Sequence, residues 1–305
     1  MRILITGASG FIGCELVRFL INKNHDVFCT VNKEKESLVT ITNIGSDKLF
    51  FLNKDNLLDM DLFIKKNNFD GIIHLATYYV FEHSEKDLNP MLSCNITFGV
   101  YLIELAVKNK VKWFINVGTF FQHFHSEIYR PVNLYAATKQ AFFDVLDFYN
   151  DKFEIKIIDL KLNDTIGVSD KRKKIPLILK ESMKNNSSID MSPGEQLINI
   201  LDIEDVLAGF YCMLKYVEHS EKKQEIEKFV LRSSETITLK KLVELFEKIS
   251  NKRLSVNWGG REYRAREIMI PWTGGHLVPG WSQKIKLIDS VKKFLENESG
   301  KLNEE

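Results

Sequence analysis

The chain has 305 residues, 44% hydrophobic and 27% charged, and its 42 basic and 41 acidic side chains leave a formal net charge of +1. These fractions belong to a globular protein and exclude a disordered or collagen-like chain. The balanced charge excludes a global basic field of the kind that holds nucleic acid or an anionic membrane. Four dispersed cysteines, Cys14, Cys29, Cys94 and Cys212, form no C-x-x-C pair. They read as free thiols in a reducing compartment, not as a disulfide frame or a zinc site.

The apolar opening is followed at once by Glu15 and Arg18, which a secretory leader would not carry. No run approaches the roughly 18 apolar residues of a membrane span, and the chain reads as cytoplasmic. Residues 2–6 read as a buried strand, and from Ile12 a helical stripe continues through Leu16, Phe19 and Leu20. Strands follow at 26–31 and 48–52, a helical stretch runs up to about Asn67, and 71–76 (GIIHLA) is a fourth strand. An amphipathic helix over about 95–109 precedes a fifth strand at 113–117, and a helix over 134–150 leads to a sixth at 155–160. This alternation predicts an α/β fold: a Rossmann-type doubly wound parallel sheet with helices on both faces.

After Leu162 the rhythm breaks. The basic run 171–174 (KRKK) and the polar stretch 185–188 read as solvated loops, 203–216 and 238–249 as helices, and the last twenty residues as one more helix and a charged tail, 296–305. The organisation that follows is a dinucleotide-binding domain over 1–162 plus about 197–216. A smaller C-terminal α/β lobe for substrate takes 163–196 and 217–295.

The first strand runs directly into Gly7-Ala8-Ser9-Gly10-Phe11-Ile12-Gly13, and a helix follows. A turn this tight needs residues without a Cβ penalty, and a pyrophosphate must reach the N–H groups at a helix N-terminus. A glycine triplet between a first strand and a helix is the signature of a bound dinucleotide. An acidic residue at the end of the second strand would hold the ribose hydroxyls of NAD. Here that strand ends Thr30-Val31-Asn32-Lys33, and Asn32 and Lys33 suit the 2′-phosphate of NADP. NADP(H) is therefore the expected cofactor, with NAD(H) as the alternative, and Asp55 is placed near the adenine.

Tyr135 and Lys139, one helical turn apart, share a face. A phenol with a pKa near 10 is a poor acid–base group at neutral pH. A cation about 5 Å away at an effective dielectric of ~20 is worth about 3 kcal/mol, or roughly two pKa units. That predicts a phenol able to give a proton to a carbonyl, with Thr119, just beyond the fifth strand, bonding the same oxygen.

With these motifs the sequence resembles the extended short-chain dehydrogenase/reductase family, the group of nucleotide-sugar epimerases, dehydratases and reductases. The resemblance covers nearly the whole chain: Gly7, Gly10 and Gly13, His74-Leu75-Ala76-Thr77, Asn95, Thr119, Tyr135 and Lys139. It extends through Gly194-Glu195-Gln196 with Asp205, Arg264 to Met269 (R-x-x-E-I-M), and Pro279-Gly280-Trp281. It implies a cytoplasmic enzyme acting on a nucleotide-linked sugar, with Leu75, Ala76, Thr77 and Asn95 beside the cofactor. It implies substrate contacts from Tyr78, Phe120, Phe121, His123, Asp164, Gln196 and Arg264.

Dehydratases of this family follow the Thr with an acid pair, and one class of epimerase-reductases carries a Cys two positions on. This chain has Phe120 and Phe121 there. What remains is redox at C4: an NADPH-dependent reduction of a CDP- or dTDP-linked 4-keto-6-deoxysugar, in the service of surface polysaccharide, or an NAD-dependent 4-epimerisation. A non-catalytic NADP-sensing regulator would have lost Tyr135 or Lys139, and a hydrophobic ketone would not need Arg264 or the Gly194–Gln196 segment. Where many relatives carry an Arg two residues after the Gln, this chain has Ile198, and Arg261 and Arg266 are open to pairing with acids. His123 and His125 lack a third ligand, so no metal is expected. The resemblance also implies a homodimer, through the stripes Phe98, Leu102, Leu105, Ala106 and Phe142, Val145, Leu146, Phe148.

Overall fold

A computed structural model describes residues 1–32, 44–52 and 57–296. The first half runs β1 (Arg2–Thr6), α1 (Phe11–Asn22), β2 (Asp26–Asn32), β3 (Leu49–Leu52), α2 (Leu57–Asn67) and β4 (Gly71–His74). It continues with a long helix α3 (Glu85–Lys108), β5 (Trp113–Thr119), α4 (Leu134–Lys152) and β6 (Lys156–Leu162). The second half holds β7 (Asp164–Ile166), α5 (Ile175–Asn185), β8 (Ile189–Met191), β9 (Leu197–Ile198), β10 (Ile200–Asp202) and α6 (Ile203–His219). Then come β11 (Glu227–Leu231), β12 (Ile237–Thr238), α7 (Leu239–Ser250), β13 (Val256–Trp258), β14 (His276–Leu277) and α8 (Leu287–Glu296).

Eight strands form one sheet in the order β14-β11-β6-β5-β4-β1-β2-β3, and every neighbouring pair is parallel. The continuous apolar runs of these strands require cover on both faces. β5 and β6 are buried along their whole lengths. On one face α1 and α6 supply Leu16, Val17, Leu20, Phe210 and Leu214. On the other, α2, α3 and α4 supply Met60, Ile64, Leu102, Phe142 and Leu146. The doubly wound architecture expected from the alternation is the one observed. A separate apolar cluster, including Leu179, Leu242, Phe246, Val291 and Phe294, joins α5, α7 and α8 into the smaller lobe.

Four elements differ from the sequence reading. β11 and β14 extend the large sheet beside β6, although the reading placed 217–295 wholly in the smaller lobe. The charged stretch before β11 hides its apolar half, and β14 is two residues long, too short for a periodicity. α3 begins ten residues before the expected start, behind a capping box of Ser84 and Asp87. Pro90 lies inside it and a π turn, Ser93–Thr97, follows; proline normally signals a break. At 24 residues α3 is also long and apolar enough to cross a membrane, contrary to the reading that no such run exists. Its Leu102, Ile103 and Ala106 pack into the core beside the sheet. Finally, α5 follows the basic run directly, with Pro176 in its first turn, a position proline tolerates.

Strand order reverses between β1 and β4, and in such sheets ligands bind beyond the carboxyl ends of the strands at that reversal. The glycine loop after β1 and the segment after β4 meet there.

Candidate active site

Gly7 has φ +70°, and a Cβ on it would lie 2.6 Å from the backbone nitrogen of Ala76. A Cβ on Gly13 would lie 2.3 Å from the Gly7 carbonyl oxygen. Both glycines are therefore required by close backbone approach, one to the segment after β4 and one to the loop itself. Gly10 is the N-cap of α1, with no side-chain cap and no acidic residue in the first turn. The dipole end of α1 thus faces outward with Ser9, Phe11 and Ile12 only partly covered, a cradle that fits a dinucleotide pyrophosphate. Behind it Thr6 Oγ1 lies 2.8 Å from His74 Nδ1 and accepts from Ala76 N at 3.2 Å. That bond and one from Leu75 N to the Thr6 carbonyl hold Leu75 and Ala76 over the glycines. His74 is buried among Phe98, Phe114 and Phe142, and burial holds its pKa well below the usual value. Of Asn32 only the backbone is described, and Lys33, Asp55 and the tail from 297 lie outside the described residues.

Asn95 sits in the π turn of α3 and is fully buried. Its Oδ1 accepts from Thr77 Oγ1 at 3.1 Å and from Tyr78 N at 2.7 Å, while Nδ2 donates to Tyr78 O at 3.0 Å and Thr138 Oγ1 at 2.9 Å. With both amide hydrogens and both oxygen lone pairs engaged, Asn95 joins the segment after β4 to the helix that carries Tyr135. It orders Thr77 at the start of that segment.

Thr119 ends β5 and caps a short 3₁₀ turn, Phe120–Gln122, accepting from Phe121 N at 3.3 Å. Tyr135 opens α4 behind the N-cap Asn133, whose Oδ1 accepts from Ala136 N at 3.0 Å. Burial pushes the Tyr135 phenol up to about 12, opposed by the facing hydroxyls of Thr77 and Thr119 and by the Arg172 guanidinium. The expected lowering by Lys139 is therefore replaced: burial dominates, and two hydroxyls and a different cation act against it. Lys139 is 2% exposed, and burial pushes its amine down to about 8 against the pull of the Asp159 carboxylate. Asp159 is itself wholly buried, bonded to Asn116 Nδ2 at 2.7 Å and Lys161 Nζ at 2.5 Å.

A cleft of about 390 Å³ opens between the sheet and the smaller lobe, lined in part by Phe120, Phe121, Asp164, Gln196 and Arg264. Five of the seven expected substrate residues thus meet there. Asp164 is paired with Lys174 at 2.6 Å. Arg264 pairs with Glu82 at 3.2 Å and lies 4.1 Å over the Phe81 ring. Gln196 Nε2 donates to Ser192, and its Oε1 is buried without a partner among the described residues. Tyr78 turns away, its hydroxyl bonded to Asp87 in the first turn of α3 at 2.8 Å. Tyr79 takes its place in the cleft, its ring 4.9 Å from that of Tyr135 at an interplanar angle of 87°. His123 also leaves the cleft, stacked on Trp272 at 4.1 Å. Arg266 holds the backbone carbonyls of Pro131 and Val132, not an acid. No metal-holding cluster of three ligands occurs among the described residues.

The basic run is an exposed loop at Lys171 and Lys173, but it is not only that. Lys173 and Lys174 line the cleft, and Arg172 lies 4.6 Å over the ring of Phe11 in the glycine loop. No local spacing signals this, because the partners come from opposite ends of the dinucleotide domain and the lobe.

The sequence profile of the NAD dependent epimerase/dehydratase family matches residues 3–227. The chain is 27% identical to CDP-abequose synthase of Salmonella muenchen, over 96% of this chain and 97% of that protein. It is 23% identical to dTDP-4-dehydro-6-deoxyglucose reductase of Escherichia coli, over 97% of this chain and 96% of that one. The solved UDP-glucose 4-epimerase of Thermotoga maritima, with UDP-glucose, superposes with a TM-score of 0.85 at 19% identity, covering 99% of this chain and all of that one. Likeness at that identity is likeness of fold.

Proposed function

Because this chain belongs to the NAD dependent epimerase/dehydratase family, whose members are nicotinamide-dependent enzymes, we propose that it reduces the C4 ketone of a CDP- or dTDP-linked 4-keto-6-deoxysugar. NADPH is the proposed reductant. The observation that carries this reading is the wall beside Thr119 and Tyr135. Phe120 and Phe121 are buried there, where a dehydration needs an acid and a base. The two carboxylates lining the cleft, Asp164 and Glu267, lie beside Lys174 and Arg264. The likeness to two named nucleotide-sugar enzymes, a CDP-abequose synthase and a 4-dehydro-6-deoxyglucose reductase, supports the same choice.

Held at the glycine loop Gly7, Gly10 and Gly13 and the N-terminus of α1, the reductant would supply the hydride for C4. The protein orients the ketone oxygen between the Thr119 and Tyr135 hydroxyls, and Tyr135, protonated at neutral pH with its pKa near 12, gives its proton to that oxygen. Lys139 contributes a positive charge behind the phenol below a pH of about 8. Asp164, Gln196 and Arg264 are proposed as substrate contacts, and a cytoplasmic homodimer as the working form.

The test is oxidation of NADPH and NADH, in parallel, with CDP- and dTDP-4-keto-6-deoxyglucose. Rapid NADPH loss, lowered 10²- to 10⁴-fold in Tyr135→Phe, is the expected result. No consumption with either sugar, together with NAD retained through purification, would replace the reductase with a 4-epimerase.

A further inference from the structure

Arg172 is a cation to which the proposed reaction gives no task. It follows β7 in the segment that leads to α5, yet its guanidinium lies over Phe11, the first residue of α1, 4.6 Å from the ring centre. Its fork is fixed along one edge. Nε donates to Asp170 Oδ1 at 2.7 Å, and Nη2 donates to Asp170 Oδ2 at 2.6 Å and Thr165 Oγ1 at 2.8 Å. Asp170 is nearly enclosed, its side chain 9% exposed, while that of Arg172 is 35% exposed. Among the described residues Nη1 has no hydrogen-bond partner. A planar fork held on one edge and one face presents its remaining edge in a set direction, which a lysine could not do.

That direction is bounded by what surrounds it. Phe11 begins the helix whose uncapped N-terminus carries no acidic residue in its first turn. The charge of Arg172 also reaches the phenols of Tyr135 and Tyr79. Arg172 therefore lies against the first residue of α1, at the glycine loop, and it is not among the residues that line the substrate cleft. A diphosphate is the chemistry that an outward N–H edge beside a helix N-terminus selects. Two diphosphates enter this protein under the proposed reading, the cofactor's and the substrate's. The geometry points to Arg172 as a clamp on the pyrophosphate of the nicotinamide dinucleotide, closing over the glycine loop from the second lobe through its free Nη1 edge.

The inference rests on dinucleotide binding and is independent of which sugar is reduced. A protein that binds NADPH but reduces no 4-keto sugar would defeat the proposed reaction and leave the clamp standing. The test is equilibrium binding to the whole chain without substrate, using NADPH, ADP-ribose and, separately, CDP and dTDP. ADP-ribose retains the pyrophosphate and lacks the nicotinamide. The expected result for Arg172→Gln is a weakening of roughly tenfold or more for NADPH and ADP-ribose alike, with CDP and dTDP unchanged. The salt dependence of dinucleotide binding should flatten at the same time, since one ionic contact is gone. Arg172→Lys should recover only part of the loss, keeping the charge without the stacked fork.

Unchanged affinity for ADP-ribose would overturn the assignment, as would a loss confined to CDP or dTDP, which would move Arg172 to the substrate's diphosphate. A merely structural role would show as a lowered melting temperature of the ligand-free variant, with full recovery of affinity in Arg172→Met, which can still pack on Phe11. That outcome too would overturn the clamp.

Discussion

The proposed reaction asks Lys139 to carry a charge where water barely reaches it, and this conflict has a sign that can be measured. Its amine titrates near 8 in the folded chain against 10.5 when unperturbed. Between those values the unfolded chain binds more protons than the folded one, so stability rises with pH across that window. Below it the folded protein bears the whole penalty, on the order of 3 kcal/mol. Lys139→Met is therefore expected to stabilise the ligand-free protein by about 1–3 kcal/mol at pH 7. The gain should vanish as pH approaches 10.5, in urea denaturation followed at several pH values. The same substitution should abolish reduction, and the wild-type rate should decline as pH rises past about 8. Tyr135 and Lys139 were legible from their i, i+4 spacing, whereas their ionisation was not. Burial set both values, and burial belongs to the packed structure rather than to the spacing.

The segment after β4 and the long helix α3 act as one element because Asn95 joins them. Asn95→Leu would leave the Tyr78 N–H and carbonyl and the Thr138 hydroxyl without their present partner. Stranded buried polar groups cost about 1–3 kcal/mol each, so a loss of about 2–4 kcal/mol in unfolding free energy is expected, measured by chemical denaturation. The displaced Thr77 should also lower turnover more than the stability loss explains, which an assay well below the melting temperature separates. Asn95 is legible through the resemblance, which implies a place beside the cofactor, whereas its bonds to Thr77, Tyr78 and Thr138 are set by the packed structure. Which side of Tyr78-Tyr79 faces the cleft was equally hidden, because the choice is made by Asp87, which captures the Tyr78 hydroxyl. The start of α3 was obscured for a local reason: Pro90 reads as a stop, and the capping box at Ser84 and Asp87 lies before it.

For the whole molecule, much of the apolar surface expected to join two copies is used inside one. Leu102, Ala106, Phe142 and Leu146 are fully buried in the core between sheet and helices. The residues left outside on α3 and α4 are Leu88, Leu92, Tyr101 and Phe148, from 37% to 55% exposed. If these helices pair across a twofold axis, sedimentation should give about twice the 35.4 kDa chain mass. The double variant Tyr101→Glu with Phe148→Glu should then sediment as a folded monomer with unchanged circular dichroism. A wild-type chain that sediments at 35.4 kDa would remove the dimer.

What the amino-acid order determined by itself was whatever depends on neighbours along the chain. That includes the alternation that builds a parallel sheet, the glycine loop between its first strand and first helix, and the turn that places Tyr135 over Lys139. Tertiary structure alone decided the rest. It brought β11 and β14 to the edge of the large sheet, turned His123 onto Trp272, and laid Arg172 on Phe11. The physical reason is common to all of these: each is a contact between segments far apart in the chain, made only when apolar surface has been buried, and no periodicity within either segment encodes its partner.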